Sequence, residues 1–155
     1  MSELLINNFT PFIQVIIALC LGIILGTERT FASKTAGMRT YGLVSMGSCL
    51  LIVVSQYTLM IANIGADPMR LAAGIVTGIG FLGTGLIIVK DQAASGLTTA
   101  AGLWVAAGIG IAVGFGLYAL ALFTTFVTLL VFTALWQIEQ KLKAAVTTEN
   151  NNHSS

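Results

Sequence analysis

Charged residues are scarce in this chain: of 155 residues only 7 are Lys or Arg and 6 are Asp or Glu, while 56% are hydrophobic. A soluble globule of this length needs far more charge on its surface, so most of the chain is expected to be solvated by lipid. The few cations are scattered among long apolar runs and form no basic stripe, which argues against a nucleic-acid partner. Histidine is almost missing. His153 stands in a polar tail without a second ligand beside it, so it offers no metal site. The two cysteines, Cys20 and Cys49, lie inside apolar runs without metal-ligand spacing and read as packing residues. No nucleophile with a base, no metal cluster and no cofactor motif is legible, so neither an enzyme nor a bound cofactor is expected.

What the chain has in abundance is apolar length. A helix needs roughly 20 apolar residues to cross the hydrocarbon, and a helix closes its own backbone hydrogen bonds there. Residues 9–26, 41–61 and 71–89 supply three such runs. Residues 97–136 carry no charge at all and are about twice one crossing, with Gly114-Phe115-Gly116 near the middle, so they divide into spans 97–114 and 116–136. The prediction is an all-α membrane protein, one domain over residues 1–143 with five transmembrane helices, followed by a disordered polar tail over 144–155. The first run could pass for a secretory signal. Its leading segment, however, holds Glu3 and no cation, and Gly26-Thr27-Glu28-Arg29 is a poor cleavage site, so it reads as a retained span.

Loop charge orients the bundle. Arg29, Lys34 and Arg39 fall in the first loop, Lys90 in the third, and Lys141 and Lys143 after the last span, whereas the second loop holds Arg70 and the fourth holds no cation. Cations favour the cytoplasmic side, which places the amino terminus outside and the carboxyl terminus in the cytoplasm.

Small residues recur at helical spacing. Ala18, Gly22 and Gly26 form one row, and Gly102, Ala106, Gly110 and Gly114 another. The third span is denser, with Gly74, Gly78, Gly80, Gly83 and Gly85. Apolar helices gain nothing by hiding from lipid, so they associate by close packing, and such rows are read as packing faces within the protomer, between protomers or toward another membrane protein. The run from Gly78 to Gly85 partly mimics a phosphate loop, but it follows no strand and lacks the Lys-Ser/Thr pair. A straight glycine face and a locally broken helix both remain open there.

No charge falls in the middle of a span; polar groups gather at the two ends instead. Asp67 and Pro68 suit the cap and first residue of the third helix, while Arg70, one turn in, needs a partner, for which Asp67 is nearest. Asp67 is also the one candidate for a metal ligand. Glu28, Arg29 and Arg39 read either as interfacial anchors or as parts of a functional loop. Thr98 and Thr99, after Ser95, can cap the fourth helix, and a longer reading has these amides and hydroxyls facing an anion or a polar substrate. Glu28, Arg39, Asp67, Arg70, Thr98 and Thr99 are thus the candidate functional polar residues.

At these positions the chain resembles the membrane domain of the MgtC/SapB family. The resemblance rests on Gly26-Thr27-Glu28-Arg29, Ala36-Gly37-Met38-Arg39-Thr40, Asp67-Pro68-Met69-Arg70, the glycine run 78–85, and Gly96-Leu97-Thr98-Thr99-Ala100-Ala101-Gly102-Leu103-Trp104. It covers roughly residues 15–135. Thr84 stands where alanine is common, and Thr30 where another acidic residue is common. The resemblance implies a multi-pass protein of the bacterial inner membrane linked to magnesium homeostasis, and in some pathogens to virulence. It is expected to be regulatory or accessory, with transport of Mg²⁺ or another ion as the alternative. Longer members carry a soluble carboxyl-terminal domain, and only 19 residues follow Trp136 here, so a short form is expected.

Overall fold

The computed structural model describes residues 2–62, 67–90, 93–138 and 140–141. Helix α1 runs Ser2–Phe31, α2 Met38–Ala62, α3 Pro68–Leu86, α4 Leu97–Gly114 and α5 Tyr118–Leu130. A π-helical segment, Val131–Leu135, prolongs α5, and the fifth apolar span reaches Ile138. Five helices are therefore long and apolar enough to cross a membrane. Between α3 and α4 lies a small antiparallel hairpin, β1 Ile88–Lys90 and β2 Ala93–Ser95, with Val89 opposite Ala94.

That hairpin corrects the expected third span. The sequence predicts one apolar span over residues 71–89, but the helix spans Pro68–Leu86, and Ile87 leaves it in extended conformation, its amide bonded to the Thr84 carbonyl at 3.2 Å. Ile87, Ile88 and Val89 are β-branched and follow Gly85, a combination that favours strand over a further helical turn. The glycine run itself does not break the helix. Thr77 and Thr84 return their hydroxyls to the carbonyls of Ala73 and Gly80, so both hydroxyls are satisfied within the helix.

α4 occupies the centre and touches each of the other four helices. The reason is its small-residue row. A methyl group added at Gly110 would collide with the Ser45 carbonyl oxygen, and one at Gly114 would stand 2.8 Å from Cβ of Ile52. α2 thus lies almost backbone to backbone on α4. A second seam joins α1 to α2: a methyl group at Gly22 would stand 2.5 Å from the Tyr41 carbonyl, and one at Gly26 would stand 2.6 Å from Cα of Met38. Ala18, Leu25, Tyr41, Cys49, Leu103, Ala106 and Val113 fill the main core around these seams. α3 adds a smaller cluster, with Ala72 and Ile75 against Ile52 and Ala107.

The turns are built by left-handed residues. Ser33 (φ 53°) ends α1, with the Ser33 amide on the Thr30 carbonyl and the Lys34 amide on the Arg29 carbonyl. Gly116 (φ 78°) ends α4 in the same double-bonded way, through the Val113 and Ala112 carbonyls. The turn read at Gly114-Phe115-Gly116 is therefore a helix stop followed directly by α5. Gly96 (φ 87°) precedes α4, where a side chain would also meet the Leu86 carbonyl oxygen.

Candidate functional site

The candidate polar residues divide between the two ends of the bundle. Glu28, Arg39, Thr98 and Thr99 lie at the end shared by the close of α1 and the starts of α2 and α4, while Asp67 and Arg70 lie at the start of α3. α2 separates the ends by 25 residues, about 37 Å of helix at the usual rise.

At the α3 end, Asp67 acts as a helix cap. Its side-chain oxygen accepts the Met69 amide at 2.9 Å, and Pro68 opens the helix. Arg70 forms no ion pair with it, the one ion pair among the described residues being elsewhere. Both side chains are exposed. Asp67 thus spends its carboxylate on the backbone, and no group of three His, Cys, Asp or Glu gathers around it or at any other place among the described residues.

The opposite end is more elaborate. Arg29 is only 2% exposed. Its Nε donates to Glu28 Oε2 at 2.6 Å and its Nη2 to Oε1 at 3.2 Å, while its guanidinium carbon stands 4.1 Å from the centre of the Phe132 ring. The carboxylate and the aromatic face together compensate a cation that would otherwise be costly to bury. Phe132 meets Tyr41 edge to face, ring centres 6.5 Å apart, and the Tyr41 hydroxyl donates to the Thr99 carbonyl at 3.3 Å. Gly102 makes this column fit, because a methyl group there would strike the Tyr41 hydroxyl and stand 2.7 Å from the Phe132 ring. The π-helical segment that carries Phe132 shifts the register of the fifth helix at this level, and such segments recur at functional sites.

Beside the column opens a cavity of about 530 Å³ lined by Arg29, Lys34, Gly96, Thr98, Thr99 and Trp136, among others. Thr99 is buried and Thr98 exposed. The expected hydroxyl cap on α4 is not made: Gly96 is the cap residue without a side-chain bond, and the Ser95 hydroxyl donates to the Ile88 carbonyl at 3.2 Å within the hairpin. The first amides of α4 are thereby left without a capping side chain. Arg39 is exposed at the start of α2 and forms no ion pair among the described residues. Thr30 receives the Met38 amide on its hydroxyl at 3.1 Å and so joins the close of α1 to the start of α2.

Two members of this site, Lys34 and Phe132, are not singled out by the sequence. Lys34 enters only as a loop charge and Phe132 only as part of an apolar run, whereas Arg29 stands beside Glu28 and Arg39 as an anchor or part of a functional loop. The signal available was slight: Arg29 falls on the face continued by Ala18, Gly22 and Gly26, the face that enters the protein. Of the packing glycines, Gly22, Gly26, Gly102, Gly110 and Gly114 stand in the seams, whereas Gly74 and Gly78 have nothing within 4 Å of an added methyl group.

Five lipid-length helices joined through glycine seams, with buried charge confined to one end, define a multi-pass α-helical membrane protein. The chain belongs to the MgtC family, whose model matches residues 15–141. It is 42% identical over 122 residues to the Escherichia coli K12 protein YhiD, named as a candidate magnesium transporter, an overlap of 76% of this chain and 57% of that one. It is also 42% identical over 110 residues to an uncharacterized protein of Haemophilus influenzae, covering 64% of this chain and 46% of the relative. To Protein MgtC of Salmonella typhimurium it is 38% identical over 92 residues, 59% of this chain and 38% of that one. The chain thus spans about half or less of the length of these relatives. No solved structure matches it.

Proposed function

We propose that the protein is a regulatory or accessory component of magnesium homeostasis in the bacterial inner membrane, with its amino terminus outside and its carboxyl terminus in the cytoplasm. Family membership and the name of the Escherichia coli relative support the link to magnesium. The loop charges described above support the orientation.

One observation carries the choice of role: among the described residues, the polar side chains buried between the two ends are Gln14, Ser45, Ser48, Thr125 and Thr128, and none is a carboxylate. Mg²⁺ dehydrates reluctantly and is usually met by one or two carboxylates while it keeps several waters. Intramembrane ion paths commonly carry ionisable groups. In this protomer Glu28 is tied to Arg29 and Asp67 to a backbone amide. A protomer built this way is better suited to docking than to conduction. The open glycine row of α3, with Gly74 and Gly78, is a helix face with room for a second membrane helix, of another copy or of a different protein.

Transport is the second reading, favoured by the name of the Escherichia coli relative. Mg²⁺ uptake by the purified chain in liposomes separates the two. The expected result is flux no greater than that of empty liposomes; robust uptake abolished by Asp67→Asn would replace the regulatory reading with the transport one.

A further inference from the structure

The cavity between the close of α1, the start of α4 and the fifth helix has a chemistry that magnesium does not explain. Among the described residues its cationic lining consists of Arg29 and Lys34, and none of them that lines it is a carboxylate. Glu28 faces the neighbouring groove, on the side of Ile24, Phe31 and Thr133. A dication would be repelled here; an anion would not.

Two independent observations point to an anion. The first is electrostatic: α4 begins at Gly96 without a side-chain cap, so its unbonded amides and the positive end of its dipole face the cavity, beside the Thr98 hydroxyl. The second is the guanidinium of Arg29. Nε and Nη2 are engaged by Glu28, yet Nη1 donates to no protein atom among the described residues. The only fully enclosed side-chain nitrogen or oxygen without a partner among those residues is Ser45 Oγ, so Nη1 retains access to the cavity. A side chain only 3% exposed thus presents one free donor arm to the space that Lys34 and the α4 amides also face. Lys34 is held there by the left-handed turn at Ser33, through its amide bond to the Arg29 carbonyl at 3.0 Å.

We propose that this cavity binds a phosphate group, with Arg29 Nη1, Lys34, the first amides of α4 and the Thr98 hydroxyl as donors. Three or more donors converging from different directions suit a tetrahedral oxyanion better than a halide. Because Glu28 already balances Arg29, the surplus among the described residues is Lys34 plus about half a charge from the helix end, which suits a singly charged phosphodiester. The volume of about 530 Å³ greatly exceeds a free phosphate, and Leu97, Val131, Leu135 and Trp136 give it an apolar wall on the lipid side. Both features suit the headgroup of an anionic phospholipid entering from the bilayer. The inference goes beyond the magnesium reading and stands whether or not the protein moves an ion.

The test uses the full chain in phosphatidylcholine nanodiscs. One arm titrates sodium phosphate at constant ionic strength and follows binding by calorimetry. The other replaces part of the phosphatidylcholine with phosphatidylglycerol and counts retained lipids by native mass spectrometry. Saturable binding in either arm supports the site, and the arm that responds names the source of the phosphate. Lys34→Gln, at an exposed position outside the helix seams, should weaken that binding about tenfold, and Thr98→Ala by a smaller factor. Binding in neither arm, or binding unchanged in the Lys34→Gln/Thr98→Ala double variant, would overturn the proposal.

Discussion

The Glu28–Arg29 pair shows how little room this protein leaves for error at single positions. Replacing Glu28 with Gln would leave Arg29 buried against Phe132 without its counter-ion. A fully buried pair loses about 3–5 kcal/mol when one partner is removed. Glu28 keeps 18% of its side-chain exposure, so a loss on the order of 2 kcal/mol is expected, read as a lower thermal midpoint in detergent. The glycines divide by the same kind of argument. Gly110→Leu must displace the α2 backbone at Ser45 and should cost about 3 kcal/mol or more, whereas Gly74→Ala meets nothing and should be neutral or stabilising by up to about 1 kcal/mol. If the two variants melt alike, the seam does not hold the bundle together. Both glycines look equivalent as letters in a row; only the neighbour of each distinguishes them.

At the scale of elements, the helix ends decide the connections. Gln14, an isolated amide in α1, donates through Nε2 to the carbonyls of Val113 at 3.0 Å and Gly114 at 3.2 Å, the last two of α4. The last carbonyls of a helix have few intrahelical partners, so this one side chain ties α1 to the close of α4. The Val113 carbonyl keeps the Gly116 amide, so Gln14→Leu should cost roughly 1–3 kcal/mol through the Gly114 carbonyl alone, although leucine is the more apolar residue. A melting temperature unchanged or raised in that variant would mean that the lock contributes nothing. The Asp67–Pro68 cap was legible from two adjacent letters because capping is a local matter. The pairing of Gln14 with residues 99 and 100 positions away was not, since nothing local to either segment records it. The same holds for the strand after Leu86, where apolar composition suits both a longer helix and an extended segment, and the Gly96 turn back into α4 selects the latter.

For the molecule as a whole, the distribution of Lys and Arg predicts that a reporter fused after Lys143 behaves as cytoplasmic; an extracytoplasmic signal there would reverse the orientation argued from the loops. The whole-molecule packing also relocates the surface available to partners. Gly110, a natural choice for a docking test when read from its row alone, is consumed within the protomer, while Gly74 and Gly78 of α3 stay open. The sequence by itself determined five apolar spans, the confinement of charge to their ends and the family signature, because hydropathy and short motifs are properties of contiguous residues. Tertiary structure alone decided that α4 is the centre, which glycines are filled, and that Arg29 meets Phe132 beside the start of α4. These depend on surfaces brought together from distant parts of the chain, and the close packing that joins them in lipid is a matter of shape, which composition does not record.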